Sequence, residues 1–97
     1  MHPAFVDKVE IAARILRDAG ATSVYVFGSV ADEKEMLPGR EPKDIDLAVE
    51  GLPPQVFFKA LSDVCDALKF PVDLIDLDEP TLLAKRLRER GRLRRVA

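Results

Sequence analysis

Residues 44–49 read Asp-Ile-Asp-Leu-Ala-Val, and the alternation in that stretch decides how its neighbours are read. Strand side chains alternate faces with period two. Asp44 and Asp46 therefore point one way, Ile45 and Leu47 the other. Two acids in an otherwise apolar strand are costly to place without a purpose. Upstream, Ser23 to Phe27 (Ser-Val-Tyr-Val-Phe) is β-branched and aromatic and reads as a buried strand, ended abruptly by Gly28-Ser29. Downstream, Gly51-Leu52-Pro53-Pro54 breaks the second strand after Val49, and Pro71 precedes a third, Val72 to Leu77. On that third strand Val72 and Leu74 share one face, Asp73 and Ile75 the other.

Helical patterns separate the strands. Phe5, Val9, Ala12, Ala13, Leu16 and Ala19 recur at three- and four-residue spacing, with Pro3 suited to the first turn and Gly20 to the end. Val56, Phe57, Ala60, Leu61, Val64, Cys65 and Leu68 mark a second helix, and Leu82, Leu83, Leu87 and Leu93 a last one opened by Pro80. Residues 30–43 are polar and hold Pro38, Gly39 and Pro42, which predicts a short helical turn up to about Leu37 and then a loop.

Strands alternating with helices predict a small layered α/β (α+β) domain. The crossover from the second to the third strand is mostly helical, which suits a parallel, right-handed βαβ unit. The link between the first two strands is shorter and rich in breakers, leaving antiparallel pairing open. The expected architecture is a mixed three- to four-stranded sheet with helices packed on it.

Composition sets the bounds. The sequence has 97 residues, 47% hydrophobic and 33% charged, which fits one soluble domain over residues 1–97. No apolar run is long enough to span a membrane. Met1-His2-Pro3 opens straight into a charged amphipathic stretch, so no signal peptide is read. One cysteine, Cys65, allows no internal disulfide and fits a reducing cytoplasm, and one Cys with one His excludes a Cys/His zinc site. Residues 1–84 carry 8 Lys/Arg against 16 Asp/Glu, whereas residues 85–97 carry 7 Lys/Arg and only Glu89. The acidic body should repel nucleic acid, while the basic stretch could attract an anion or an acidic partner; its plainer reading is a solvated last helix or tail.

Three features could carry chemistry: Gly28-Ser29 after strand one, Asp44 and Asp46 entering strand two, and Asp73 in strand three. With 10 Asp in 97 residues, an Asp-x-Asp pair is expected by chance, and Asp76/Asp78 reads as the surface end of a strand. If strands two and three are neighbours, however, three carboxylates converge. Like charges that close repel unless a cation lies between them. Oxygen ligands without His or Cys select Mg²⁺, with Mn²⁺ as the alternative. Two such ions about 3.5–4 Å apart can clamp the attacking and leaving oxygens of an in-line phosphoryl displacement. A Gly-Ser turn offers N–H groups and a hydroxyl to a phosphate, and glycine lets that phosphate approach the backbone.

The stretches Val26-Phe27-Gly28-Ser29-Val30-Ala31, Asp44-Ile45-Asp46-Leu47-Ala48-Val49 and Val72-Asp73-Leu74-Ile75-Asp76-Leu77 resemble the minimal nucleotidyltransferases of the DNA polymerase beta-like superfamily. The resemblance covers roughly residues 5–93. It implies a nucleotidyltransferase fold in which Gly28 and Ser29 hold the triphosphate of ATP or another nucleotide. Asp44 and Asp46 would ligate two Mg²⁺ ions, and Asp73 would ligate one and help activate the attacking hydroxyl. Family members often carry Arg close after Gly-Ser, where this sequence has Val30, Asp32 and Glu33, and often Ser before the acid pair, where it has Lys43. Lys43 either supplies positive charge to the nucleotide or faces solvent. The resemblance further implies a helical HEPN-type partner in a toxin–antitoxin pair, with this chain as the antitoxin transferring AMP to a toxin tyrosine. Two alternatives stand beside it: a binding module that neutralises its partner by contact, and a small-molecule (antibiotic-type) nucleotidyltransferase. A homodimer is also open, with Phe58 or the Leu82–Leu93 stretch as its surface. Tyr25 and Cys65 read as packing residues and His2 as a frayed terminus.

Overall fold

The computed structural model describes residues 3–31 and 42–97. Helix α1 (Val6–Asp18) follows a 3-10 turn at Pro3–Phe5, where the proline needs no donor. It buries Val9, Ala12, Ala13 and Leu16, the face that the spacing predicts. Helix α2 (Phe57–Leu68) buries Ala60, Val64 and Leu68 in the same way. Helix α3 (Leu82–Arg90) starts at Thr81, whose hydroxyl accepts a hydrogen bond from the Ala84 amide at 3.1 Å.

The strands are β1 (Ser23–Phe27), β2 (Ile45–Glu50), β3 (Val72–Asp76) and β4 (Arg94–Arg95). They form one sheet in the order β3-β2-β1-β4. β1 and β2 run antiparallel, and β2 and β3 parallel, the arrangement that the two connection types suggest. Helices α1 and α2 cover one face. Val24, Val26, Ile45, Leu47 and Val49 are fully buried there, and each contributes roughly 2 kcal/mol of hydrophobic stabilisation. On the other face Ala48, Tyr25, Phe27 and Ile75 pack with Leu77, which follows β3, and with Ala84 and Leu87 of α3. The face that carries Asp46 and Asp73 is thus only partly roofed.

The basic stretch 85–97 departs from the helix or tail expected of it. Helix α3 stops at Arg90 because Gly91 takes a left-handed conformation (φ 61°). The chain then reverses into β4, which pairs antiparallel with the open edge of β1, Arg94 opposite Val26 and Arg95 opposite Tyr25. The Val96 amide donates to the Val24 carbonyl at 2.8 Å, and the Val24 amide to the Ala97 carbonyl at 3.1 Å. Edge amides that want partners and a glycine that breaks the helix together override the helical spacing of Leu93. Leu93 instead packs from the extended segment against the cluster of Ala48, Leu77 and Ala84. Cys65, expected inside the core, is half-buried. The helical turn expected before Leu37 lies outside the described residues, apart from a 3-10 turn at Gly28–Val30.

Candidate active site

The parallel register of β2 and β3 sets Asp46 directly beside Asp73, and the antiparallel register sets Phe27 opposite Asp46. Directly paired residues share a face. Asp46 and Asp73 therefore project from the partly roofed side, and Asp44, one turn of the alternation earlier, joins them. One oxygen from each of Asp44, Asp46 and Asp73 lies within 4.8 Å of the other two. Asp44 and Asp46 are half-buried and Asp73 is exposed.

The electrostatics follow from that crowding. The Asp46 carboxyl is pushed up from 3.8 to about 6. Burial is the largest cause, followed by the charges of Asp44 and Asp73 and a hydrogen bond shared with Asp73. Neither ion pair among the described residues, Lys59–Asp63 or Arg88–Glu50, involves the triad. Among the described residues, therefore, no ion pair offsets the negative charge of the triad. An all-oxygen, anionic donor set with no nitrogen or sulfur fits Mg²⁺ or Mn²⁺.

Gly28 borders this cluster. Its φ of +70° lies in the left-handed region, and a Cβ placed on it would collide with the Asp46 carboxylate. The chain passes this close only because glycine has no side chain. Ser29 follows in the turn that the Ala31 amide closes onto the Gly28 carbonyl at 3.1 Å. Among the described residues the Ser29 hydroxyl has no hydrogen-bond partner. Lys43 is exposed beside Asp44, and no hydrogen bond or ion pair among the described residues holds it. Gly28, Asp44, Asp46 and Asp73 thus come together, Ser29 adjoins them, and Lys43 has no partner among the described residues. Asp32 and Glu33 lie outside the described residues.

A second polar group stands farther along the same face. The Tyr25 hydroxyl donates to Glu50 Oε1 at 2.6 Å, and Arg88 Nη2 lies 3.1 Å from Glu50 Oε2 and donates to the Leu77 carbonyl at 3.1 Å. The Glu50 carboxyl is held below its ordinary range, first by Tyr25 and then by Arg88. Tyr25, read from sequence as a packing residue, also ties β1 to β2. No motif signals this knot, because its members stand 25 and 38 residues apart and only the fold joins them.

Comparison with known proteins gives fold-level likenesses. No family model matches the sequence, and a search of the curated proteins finds no match. Solved structures do match. One, a toxin–antitoxin complex with AMP-PNP, has a chain 24% identical to this one, with a TM-score of 0.65, covering 93% of this chain and 72% of that one. A chain of the MntA–HepT toxin–antitoxin complex is 23% identical, with a TM-score of 0.60, over 93% of this chain and 68% of that one. A third structure holds a tri-AMPylated Shewanella oneidensis HEPN toxin with its MNT antitoxin; it is 25% identical, with a TM-score of 0.55, over 80% of this chain and 59% of that one. The mixed α/β fold expected of a nucleotidyltransferase is the fold these chains share with this one. No helix among the described residues is long and apolar enough to cross a membrane.

Proposed function

We propose that this chain is a Mg²⁺-dependent nucleotidyltransferase that transfers AMP from ATP to a hydroxyl of a helical HEPN-type partner protein, as the antitoxin of a toxin–antitoxin pair. One observation carries the reading: three carboxylates converge against a glycine turn whose left-handed backbone strains any side chain and where a Cβ would meet the Asp46 carboxylate. The structural neighbours support it, since one was solved with AMP-PNP and another holds an AMPylated HEPN toxin beside an MNT antitoxin.

Asp44, Asp46 and Asp73 would hold the divalent ions, with Mn²⁺ able to replace Mg²⁺. When bound, such ions supply Lewis-acid charge to phosphate oxygens. The chain's own groups do the rest. Gly28 lets the triphosphate approach the backbone, and the Ser29 amide and hydroxyl donate to its oxygens. Lys43 adds positive charge from the rim. Asp73, the most exposed carboxylate of the three, takes the proton as the acceptor oxygen attacks the α-phosphorus. The bond from that phosphorus to the bridging oxygen breaks, pyrophosphate leaves, and the acceptor keeps one AMP as a phosphodiester.

The test is incubation with Mg²⁺, labelled ATP and a co-expressed HEPN-type partner, read by intact mass. Gain of one or more AMP by the partner, lost with Asp44→Asn/Asp46→Asn, is the expected result. Partner neutralisation that persists in that double variant would replace this reading with neutralisation by contact. Labelling of a small acceptor by the chain alone would instead favour small-molecule transfer.

A further inference from the structure

We propose that the free edge of β3 is the docking site for an extended, basic segment of a partner protein, added to the sheet as a further strand. β3 ends the sheet, and among the described residues no strand pairs with its outer side. The Ile45 amide donates to the Pro71 carbonyl at 2.9 Å, and the Leu77 amide to the Val49 carbonyl at 2.9 Å. Odd-numbered residues of this stretch therefore turn their backbone groups towards β2. By alternation, Val72, Leu74 and Asp76 turn theirs outward. An open strand edge is a ready template for main-chain pairing.

The walls of this edge are apolar. A trough of about 480 Å³ runs along it, with Phe57 and Phe58 of α2 on one side and Leu83 of α3 on the other. Phe58 is 79% exposed, Leu83 50% and neighbouring Leu82 63%. Phe58 and Leu83 are two of the four large hydrophobic side chains exposed among the described residues, and both line this trough. Apolar side chains on both sides of this trough suit the alternate side chains of an added strand.

Charge selects the occupant. Asp76 and Glu79 line the trough and no basic side chain does. Asp73 stands farther along the same edge, exposed. Two copies of this chain joined edge to edge would bring these acids against one another. A strand with apolar residues facing the walls and Lys or Arg among them meets both the pockets and the charge. Its residue abreast of Asp73 shares the face of Asp73 and Asp46. If the transferase reading holds, a hydroxyl at that position reaches the carboxylates, and the edge presents the acceptor. That delivery rests on the transferase reading; the docking does not.

The test is selection of a random nine-residue peptide library, displayed on phage, against the whole chain. We expect enrichment of peptides with apolar residues at alternate positions and Lys or Arg between them. Selected peptides should slow exchange of the outward Leu74 amide and bind at least tenfold more weakly to a Phe58→Ser/Leu83→Ser variant with an unchanged melting profile. Both substituted side chains are exposed and lie outside the carboxylate cluster. Peptides without that pattern, or with equal affinity for the variant, would overturn the proposal. So would a dimer in sedimentation that the variant dissociates, since a second copy would then occupy the edge. No step of this selection needs ATP or transfer, so its failure is distinct from failure of the enzymatic reading.

Discussion

Gly28 and Asp46 are packed so closely that a single methyl group on the glycine would strike the carboxylate. The two residues are 18 positions apart in sequence and meet because Phe27, the residue before the glycine, pairs with Asp46 across the sheet. The turn and the acid are thus one structural unit.

A Gly28→Ala variant tests that unit. The alanine must adopt φ near +70° and displace the Asp46 side chain. The expected loss is about 1–3 kcal/mol of stability. Calorimetric titration with ATP and Mg²⁺ should show binding weakened beyond what the lower stability explains. An unchanged melt would mean that the turn relaxes freely.

Neutralising the triad should have opposite effects with and without cation. In EDTA, Asp46→Asn removes a half-buried charge from two like neighbours, so the melting midpoint should rise by roughly 2–5 °C. With millimolar Mg²⁺ the wild type should gain stability and the variant should not. A variant less stable than wild type in EDTA would argue that the carboxylate serves packing rather than cation binding.

The raised Asp46 carboxyl predicts a pH dependence with a definite sign. Its folded value of about 6 lies above the ordinary 3.8, so the folded protein holds this proton more tightly than the unfolded chain. The stabilisation is complete below about pH 4 and is lost as pH rises through about 6. Urea titrations in EDTA between those limits, wild type against Asp46→Asn, isolate the contribution. Cation binding follows the reverse course, because the proton must leave first. Mg²⁺ affinity should strengthen as pH rises past 6.

Glu50 predicts the opposite trend. Tyr25 and Arg88 hold its carboxyl below 4.5, so its contribution is present above that pH and fades as pH falls through the lower folded value. Tyr25→Phe should cost about 1 kcal/mol through the lost hydrogen bond. Arg88→Ala should cost a similar amount or less, because its side chain is 46% exposed and solvent screens the pair. Measuring both variants and the double variant by urea unfolding separates the two contacts.

Much of this protein is legible in the one-dimensional pattern. The period-two alternation around Ile45 and Leu47 and the apolar spacing in Val9–Leu16 determine which elements form and which faces are buried. Side-chain periodicity is a local property, so a sequence carries it openly. The acids at Asp44, Asp46 and Asp73 stand out for the same reason, as charges in otherwise apolar strands. The end of the chain is different. Leu87 and Leu93 fit a continuing helix, yet the edge of β1 captures residues beyond Gly91 as β4. That outcome depends on hydrogen-bonding groups some 70 residues away, which no local pattern contains. The same holds for the contact of Gly28 with Asp46, the knot of Tyr25, Glu50 and Arg88, and the exposure of Phe58 beside a free strand edge. Each is a distance between segments remote in sequence, and only the packing of the sheet against its helices sets such distances.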